Sequence, residues 1–126
     1  EGHYEAAIAR IHQSGDAELS FGENTNLCIA YTKSRSTENA IESCNRAVAI
    51  AREKNGLRWL ATSSAPDGRR RKDLDLVIAL SNRSVAYATM GEHALALDDL
   101  REAKALKPRW SAVSTNLAVL TETTVR

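Results

Sequence analysis

Residues 77–110 read VIALSNRSVAYATMGEHALALDDLREAKALKPRW, two apolar runs parted at Met90 and Gly91 and closed by Pro108. Leu80, Ala86 and Tyr87 precede the break, and Ala94, Leu97, Leu100, Ala103, Ala105 and Leu106 follow it. Apolar residues returning at steps of three and four mark helices. Gly91 punctuates between them, and Pro108 has no backbone N–H with which to continue the second. Two helices joined by so short a link lie antiparallel.

The pattern occurs again upstream. Leu27, Ala30 and Tyr31, then Ala40, Ile41, Cys44, Ala47 and Val48, recur with the helix period on either side of Ser34, Arg35, Ser36 and Thr37. Ser36 or Thr37 can cap the second of these helices, with Glu38 or Asn39 in its first turn. One constant offset carries Asn26 to Asn82, Ala30 to Ala86, Tyr31 to Tyr87, Ala40 to Ala96, Ile41 to Leu97, Ala47 to Ala103 and Ile50 to Leu106. A second, shorter offset carries Asn82 to Asn116 and the small Ser84 to the small Ala118. The shorter offset is the length of the unit, about 34 residues, a period that belongs to repeat architectures. The longer one is a unit plus an insertion, Asn55 to Leu76. Downstream, Val113, Leu117 and Leu120 form one stripe of a third amphipathic stretch that starts at Trp110.

The whole chain of 126 residues is one domain's worth of polypeptide, too short for two independent catalytic domains. Apolar residues make up 43 % and charged residues 26 %, the balance of a chain able to pack a core. Aromatics are only 5 %, so that core is built from Ala, Leu, Ile and Val, whose small members allow close helix contacts. A net charge of +1 is far from the basic footprint of a dedicated nucleic-acid binder, so no nucleic-acid partner is expected. No apolar run approaches the roughly 18 residues of a membrane span. The chain opens Glu1, Gly2, His3, Tyr4, with no initiator Met and no signal-peptide pattern, which reads as a processed or trimmed product.

The repeated helix-turn-helix unit has a small residue three before Tyr, a turn Gly, two alanines seven apart and a closing Pro, and it resembles the tetratricopeptide repeat. In 77–110 the resemblance rests on Asn82, Ser84, Ala86, Tyr87, Gly91, Ala96, Leu97, Ala103, Leu106 and Pro108. The unit 21–54 keeps Asn26, Leu27, Ala30, Tyr31, Ala40, Ile41, Ala47 and Ile50, but has Arg35 for the turn glycine and Arg52 for the proline. Residues 1–20, through Gly2, Tyr4, Ala7, Ile8 and Ile11, resemble the turn and second helix of a partial preceding unit. Residues 111–126 resemble the first helix of a following unit, a cap for the end of the stack. The fold class so implied is all-α: one domain of antiparallel helix-turn-helix repeats stacked as a short right-handed solenoid. The alanines let helix backbones approach, so Ala96→Arg is expected to unfold the stack by overpacking and by burying an unpaired charge.

The insertion, Asn55 to Leu76, holds Trp59, Pro66, Asp67, Gly68 and the basic run Arg69, Arg70, Arg71, Lys72. Ile50, Leu57 and Ala61 carry the helix period past Glu53, which predicts an overlong helix pair with its tip at Ser64 to Gly68. The alternative is a helix end at Gly56 followed by a loop, since glycine inside a helix costs about 1 kcal/mol.

Cys28 and Cys44 lie on the two helices of one hairpin, with the midpoint at residue 36 beside the turn. They are level across the hairpin, where a disulfide is geometrically feasible; the other reading is two small buried thiols. The tetratricopeptide resemblance adds that the small residue before Tyr faces the large residue of the second helix, here Cys28 and Cys44. A bridge implies an oxidising compartment. The expected setting is then the bacterial periplasm or the secreted fraction, and the cytoplasm if the cysteines are reduced. Two cysteines without a nearby His pair leave too few ligands for zinc, and no cofactor is expected.

No GxSxG, HExxH, phosphate-cradling glycine loop or CxxC is present, so the chain reads as a non-enzyme. His3, His12 and His93 are scattered and read as surface or turn histidines. Asp98 and Asp99 read as a solvated helix face, the basic run 69–72 as a solvated loop, and the sequon Asn82-Arg83-Ser84 as unused inside a helix. The resemblance implies a concave groove lined by the first helices, through Thr25, Ile29, Thr32 and Lys33, then Ser81, Val85, Ala88 and Thr89, then Thr115 and Val119. Family members that clamp a peptide carboxylate use Lys and Asn where this chain has Thr25 and Ile29, so shape and apolar contact are the expected mode. The partner is then a protein or peptide. The alternative is a structural piece that docks another copy, as a homo-oligomer, or a larger assembly through its N-terminal helix.

Overall fold

The computed structural model describes residues 3–12, 18–61 and 66–106, with side chains described throughout these except for His3 and residues 54–73. Among the described residues the chain is all-helical: α1 (His3–His12), α2 (Phe21–Lys33), α3 (Thr37–Ala61), α4 (Pro66–Thr89) and α5 (His93–Leu106). The stretches containing Pro108, Trp110 to Leu120, and the proposed capping helix 111–126 lie outside the described residues.

Ser20 starts α2. Its hydroxyl accepts the Glu23 N–H at 3.2 Å, and the Asn24 amide donates to the carbonyls of Leu19 and Ser20 at 3.1 and 3.0 Å. The Ser20 hydroxyl thus takes one of the N–H groups that a helix start leaves without an intrahelical partner, and the Asn24 amide holds the carbonyls that lead into the helix. At the other end, Arg35 has φ 63°, Arg35 N–H donates to Thr32 O at 3.2 Å, and Ser36 N–H donates back to Tyr31 O at 2.9 Å. A left-handed residue with such a return bond is the Schellman way to end a helix. At the equivalent place in the second unit, Gly91 has φ 81°, Gly91 N–H donates to Ala88 O at 3.1 Å and Glu92 N–H to Tyr87 O at 2.9 Å. The next helix opens alike in both places, Ala40 N–H on Ser36 O and Ala96 N–H on Glu92 O. The repeat seen in the side chains is therefore also a repeat of backbone hydrogen bonds.

Between the two turns, α3 continues through Gly56 to Ala61 and α4 opens at Pro66, so the helix does not end at Gly56. Proline suits a first helical position, where its missing N–H would have had no partner. Pro66, Asp67 and Gly68 belong to α4 rather than to a tip, while Ser64 and Ala65 lie outside the described residues, as do the side chains of Trp59 and the basic run 69–72.

Each helix packs on the next, and α2 also packs on α4. The main core joins Ala47, Val48 and Ala51 of α3, Leu76, Val77, Ala79 and Leu80 of α4, and Ala96, Leu100 and Ala103 of α5. Half of these buried residues are alanines, which lets the three helices pack closely around the leucines. A second cluster gathers Cys28, Ala40, Cys44 and Ala86, flanked by Tyr31 and Ile41. Cys28 and Cys44 are at disulfide distance, with Cα atoms 4.8 Å apart.

Asp99 corrects the expectation of a solvated face. Its side chain is 6 % exposed and takes the Arg83 guanidinium in two hydrogen bonds, Nη2 to Oδ1 at 2.6 Å and Nε to Oδ2 at 2.8 Å. Arg83 also reaches Asn45 Oδ1 at 3.2 Å and stands 5.6 Å from the centre of the Tyr87 ring. One guanidinium thereby ties α3, α4 and α5 together. The Asp99 hydrogen bond raises the Arg83 pKa from its ordinary value, against the opposing effect of burial. Asp98 is the exposed member of the pair, 4.0 Å from Arg101.

Candidate partner-binding surface

Because α2 packs on α4, the residues expected to line a groove stand on neighbouring helices. On α2, Thr25 is buried and its hydroxyl donates to Phe21 O at 2.8 Å. Thr32 donates to Cys28 O at 2.7 Å. On α4, Thr89 donates to Ala86 O at 2.7 Å. Such bonds to the preceding turn are the ordinary habit of helical Ser and Thr. They leave the three hydroxyl protons engaged within their own helices.

The groups left to meet a partner are mostly apolar. Val85 is 45 % exposed, Ile29 is half-buried, and Ala88 packs against the main core. Lys33 is exposed and places its ammonium 5.7 Å from the centre of the Tyr4 ring on α1. Ser81 is half-buried with no partner for its hydroxyl among the described residues, although its carbonyl accepts from Ser84 at 2.6 Å. Thr115 and Val119 lie outside the described residues. The row therefore offers shape, aliphatic surface and one cation, and few free hydrogen-bond donors.

Two hollows flank α2. One, about 360 Å³, lies between α1 and α2, walled by Tyr4, Ala7, Arg10 and Ile11 on one side and Asn26, Ile29 and Ala30 on the other. The other, about 480 Å³, lies between the start of α2 and α3, with Leu19, Asn24, Ala49 and Ile50 as walls and Glu18, Arg46 and Glu53 around them. There Arg46 is held by Glu42 at 2.6 Å, and the Asn24 amide oxygen has no hydrogen-bond partner among the described residues.

His12 and His93 stay apart, on α1 and α5. His12 Nε2 is 3.0 Å from the Tyr31 hydroxyl, and His93 Nδ1 is buried at the start of α5 without a partner among the described residues. Among the described residues no group of three or more His, Cys, Asp or Glu converges as a metal site would require. No described helix is long and apolar enough to cross a membrane.

Sequence reasoning missed Arg83 and Asp99, yet a signal was there. Ala96, Asp99, Leu100 and Ala103 follow the spacing of a single helical stripe, so Asp99 had to be buried with its neighbours or break the stripe. A buried carboxylate demands a partner. No family model, curated protein or solved structure matches the chain.

Proposed function

We propose that the chain is a non-enzymatic interaction module of tetratricopeptide type, a short right-handed solenoid that binds a protein or peptide segment along the α2–α4 face. The observation that carries the reading is the row on those two neighbouring helices, where Val85 is exposed and Ile29 half-buried while the threonine hydroxyls are engaged within the helices. The turn that recurs at Arg35 and at Gly91, down to its hydrogen bonds, supports the likeness to repeat proteins. Repeat stacks of this kind present extended surfaces to their partners.

Apolar contact would supply most of the affinity, and Lys33 would favour segments carrying a carboxylate at that end. The Cys28–Cys44 pair at disulfide distance is compatible with an oxidising compartment, so the partner belongs among bacterial periplasmic or secreted proteins.

The test is selection of binders from a displayed random-peptide library, followed by titration of the selected peptides against Val85→Asp and Lys33→Glu variants whose helicity matches the parent. Loss of binding in Val85→Asp, with a smaller and salt-sensitive loss in Lys33→Glu, is expected. Peptides that bind both variants as they bind the parent would refute the α2–α4 face.

A further inference from the structure

The hollow between the start of α2 and α3 borders a polar atom that the fold itself does not use. Asn24 lines it, is 2 % exposed, and donates through Nδ2 to the carbonyls of Leu19 and Ser20 at 3.1 and 3.0 Å. Those two carbonyls fix which way the amide lies, since turning it over would set oxygen against oxygen. Oδ1 is then buried with no hydrogen-bond partner among the described residues. The offset that relates the two hairpins takes Asn24 to Leu80, a fully buried member of the main core. The second unit thus places an apolar side chain at this level and does without an amide. Holding the carbonyls that lead into α2 accounts for the Asn24 nitrogen. It does not account for the oxygen, an acceptor that is costly to bury unmatched.

The surroundings define the donor that is missing. Glu18 and Glu53 border the hollow, both are exposed, and neither joins an ion pair among the described residues. Arg46, a cation on the wall, is already held by Glu42 at 2.6 Å. The positive end of the α2 dipole, roughly half a unit charge, opposes a bound cation but is outweighed by two carboxylates. Free acceptors and surplus negative charge also turn an anion away. Leu19, Ala49 and Ile50 supply aliphatic wall. The space, about 480 Å³, far exceeds the roughly 30 Å³ share of one water and is of the size that small-molecule groups occupy.

We infer that this hollow binds an alkyl cation rich in N–H donors, a primary ammonium or a guanidinium on an aliphatic stem. The head donates to Asn24 Oδ1 and to the carboxylates of Glu18 and Glu53, in charge-assisted hydrogen bonds. The stem lies along Leu19, Ala49 and Ile50. Such a group arrives either as a small free amine or as the Lys or Arg side chain of a bound protein, and the recognising chemistry is the same for both. The site shares no residue with the row on the α2–α4 face, so it stands or falls independently of that reading.

The test titrates the whole oxidised chain, isotope-labelled, with butylammonium, butylguanidinium, end-blocked Gly-Lys-Gly and Gly-Arg-Gly peptides, and uncharged butyramide. Backbone amides and the Asn24 side-chain amide are followed. Expected are saturable shifts at Leu19, Asn24, Ala49 and Ile50 with at least one of the cations, and none that saturate with butyramide. The double variant Glu18→Gln, Glu53→Gln should weaken binding roughly tenfold or more, because charged acceptors become neutral ones. Both residues are exposed, so this variant keeps the fold. Asn24→Leu, which copies the second unit, should remove binding, and the Gln pair carries the test should that variant not fold. Tighter binding of a peptide assigns the site to a protein side chain, and tighter binding of a free cation assigns it to a small amine; both uphold the inference. It is overturned if no cation binds the whole chain, as when water or one of the chain's own cations already satisfies the oxygen. It is equally overturned if butyramide binds as well as the cations, or if the Gln pair binds like the parent.

Discussion

Arg35 and Gly91 perform the same task at equivalent turns, and exchanging their chemistry should move stability in opposite directions. Both are left-handed, φ 63° and 81°. Holding a side-chain-bearing residue there costs roughly 1–2 kcal/mol, because Cβ approaches a carbonyl oxygen. Arg35 is exposed and makes no ion pair among the described residues, so its removal forfeits little contact. Arg35→Gly relieves the strain but enlarges the freedom of the unfolded chain, which returns about 0.5–1 kcal/mol of the gain. The net expectation is a stabilisation of about 0.5–1 kcal/mol. At Gly91 a Cβ would meet nothing within 4 Å, so Gly91→Ala reports the conformational term alone and should cost about 1 kcal/mol. Urea titrations followed by circular dichroism should show the midpoint rising for the first variant and falling for the second at unchanged slope. A melting shift of about 3–5 °C per kcal/mol is expected for a domain of this size. A destabilised Arg35→Gly, or a neutral Gly91→Ala, would refute the assignment of both turns to one motif.

Alkylation of the denatured, unreduced protein should add nothing to its intact mass, with two adducts appearing after reduction; two adducts before reduction would end the oxidising-compartment argument. With a separation of 16 residues between Cys28 and Cys44, reduction should cost about 3 kcal/mol in loop-closure entropy, measured as the difference between oxidised and reduced urea midpoints. Asp99→Ala should cost roughly 2–4 kcal/mol by leaving Arg83 half-buried and uncompensated, at the lower end of the usual range because Arg83 keeps 17 % exposure. Asp98→Ala, at the neighbouring exposed position, should stay within about 0.5 kcal/mol, and equal effects at the two sites would contradict the burial of Asp99.

Much of the helical order was legible because it is local. The single offset that aligns Tyr31 with Tyr87 and Ala40 with Ala96 locates both turns, and the turns follow from where apolar periods stop. Other features depended on information that a periodicity scan does not use. The Ser20 cap was readable, since Ser20 and Glu23 have the spacing of a capping box, but attention to apolar residues passes over it. The left-handed Arg35 was visible only by analogy with Gly91, because nothing about arginine itself asks for that conformation. The Arg83–Asp99 pair joins two helices 16 residues apart in the chain, and a charged residue on a stripe signals burial only when its partner is sought at the same time. For the candidate surface, the resemblance to tetratricopeptide repeats named Thr25, Thr32 and Thr89 as groove residues. It did not tell that their hydroxyl protons are already engaged by backbone carbonyls, which leaves fewer polar groups on a surface expected to work by shape and apolar contact.

The two hairpins carry different cross-links at nearly the same level, and the difference can be tested by transplantation. The counterparts of Cys28 and Cys44 in the second hairpin are Ser84 and Leu100, both fully buried, while Arg83 and Asp99 correspond to Leu27 and Ser43. Where α4 and α5 use a small residue facing a large one, with an ion pair one position earlier, α2 and α3 have two cysteines. Two cysteines facing each other leave less apolar volume than Ser with Leu, so the reduced protein should be doubly weakened, losing loop closure and keeping an underfilled core. The double variant Cys28→Ser, Cys44→Leu restores the pair found in the other hairpin. It should fold under reducing conditions and exceed the Cys28→Ser, Cys44→Ser variant by about 2–4 kcal/mol, the usual difference between a filled and an unfilled leucine site. Equal stability of the two variants would mean that the space around residue 44 is not equivalent to that around Leu100. The likeness of the two hairpins would then stop at their turns.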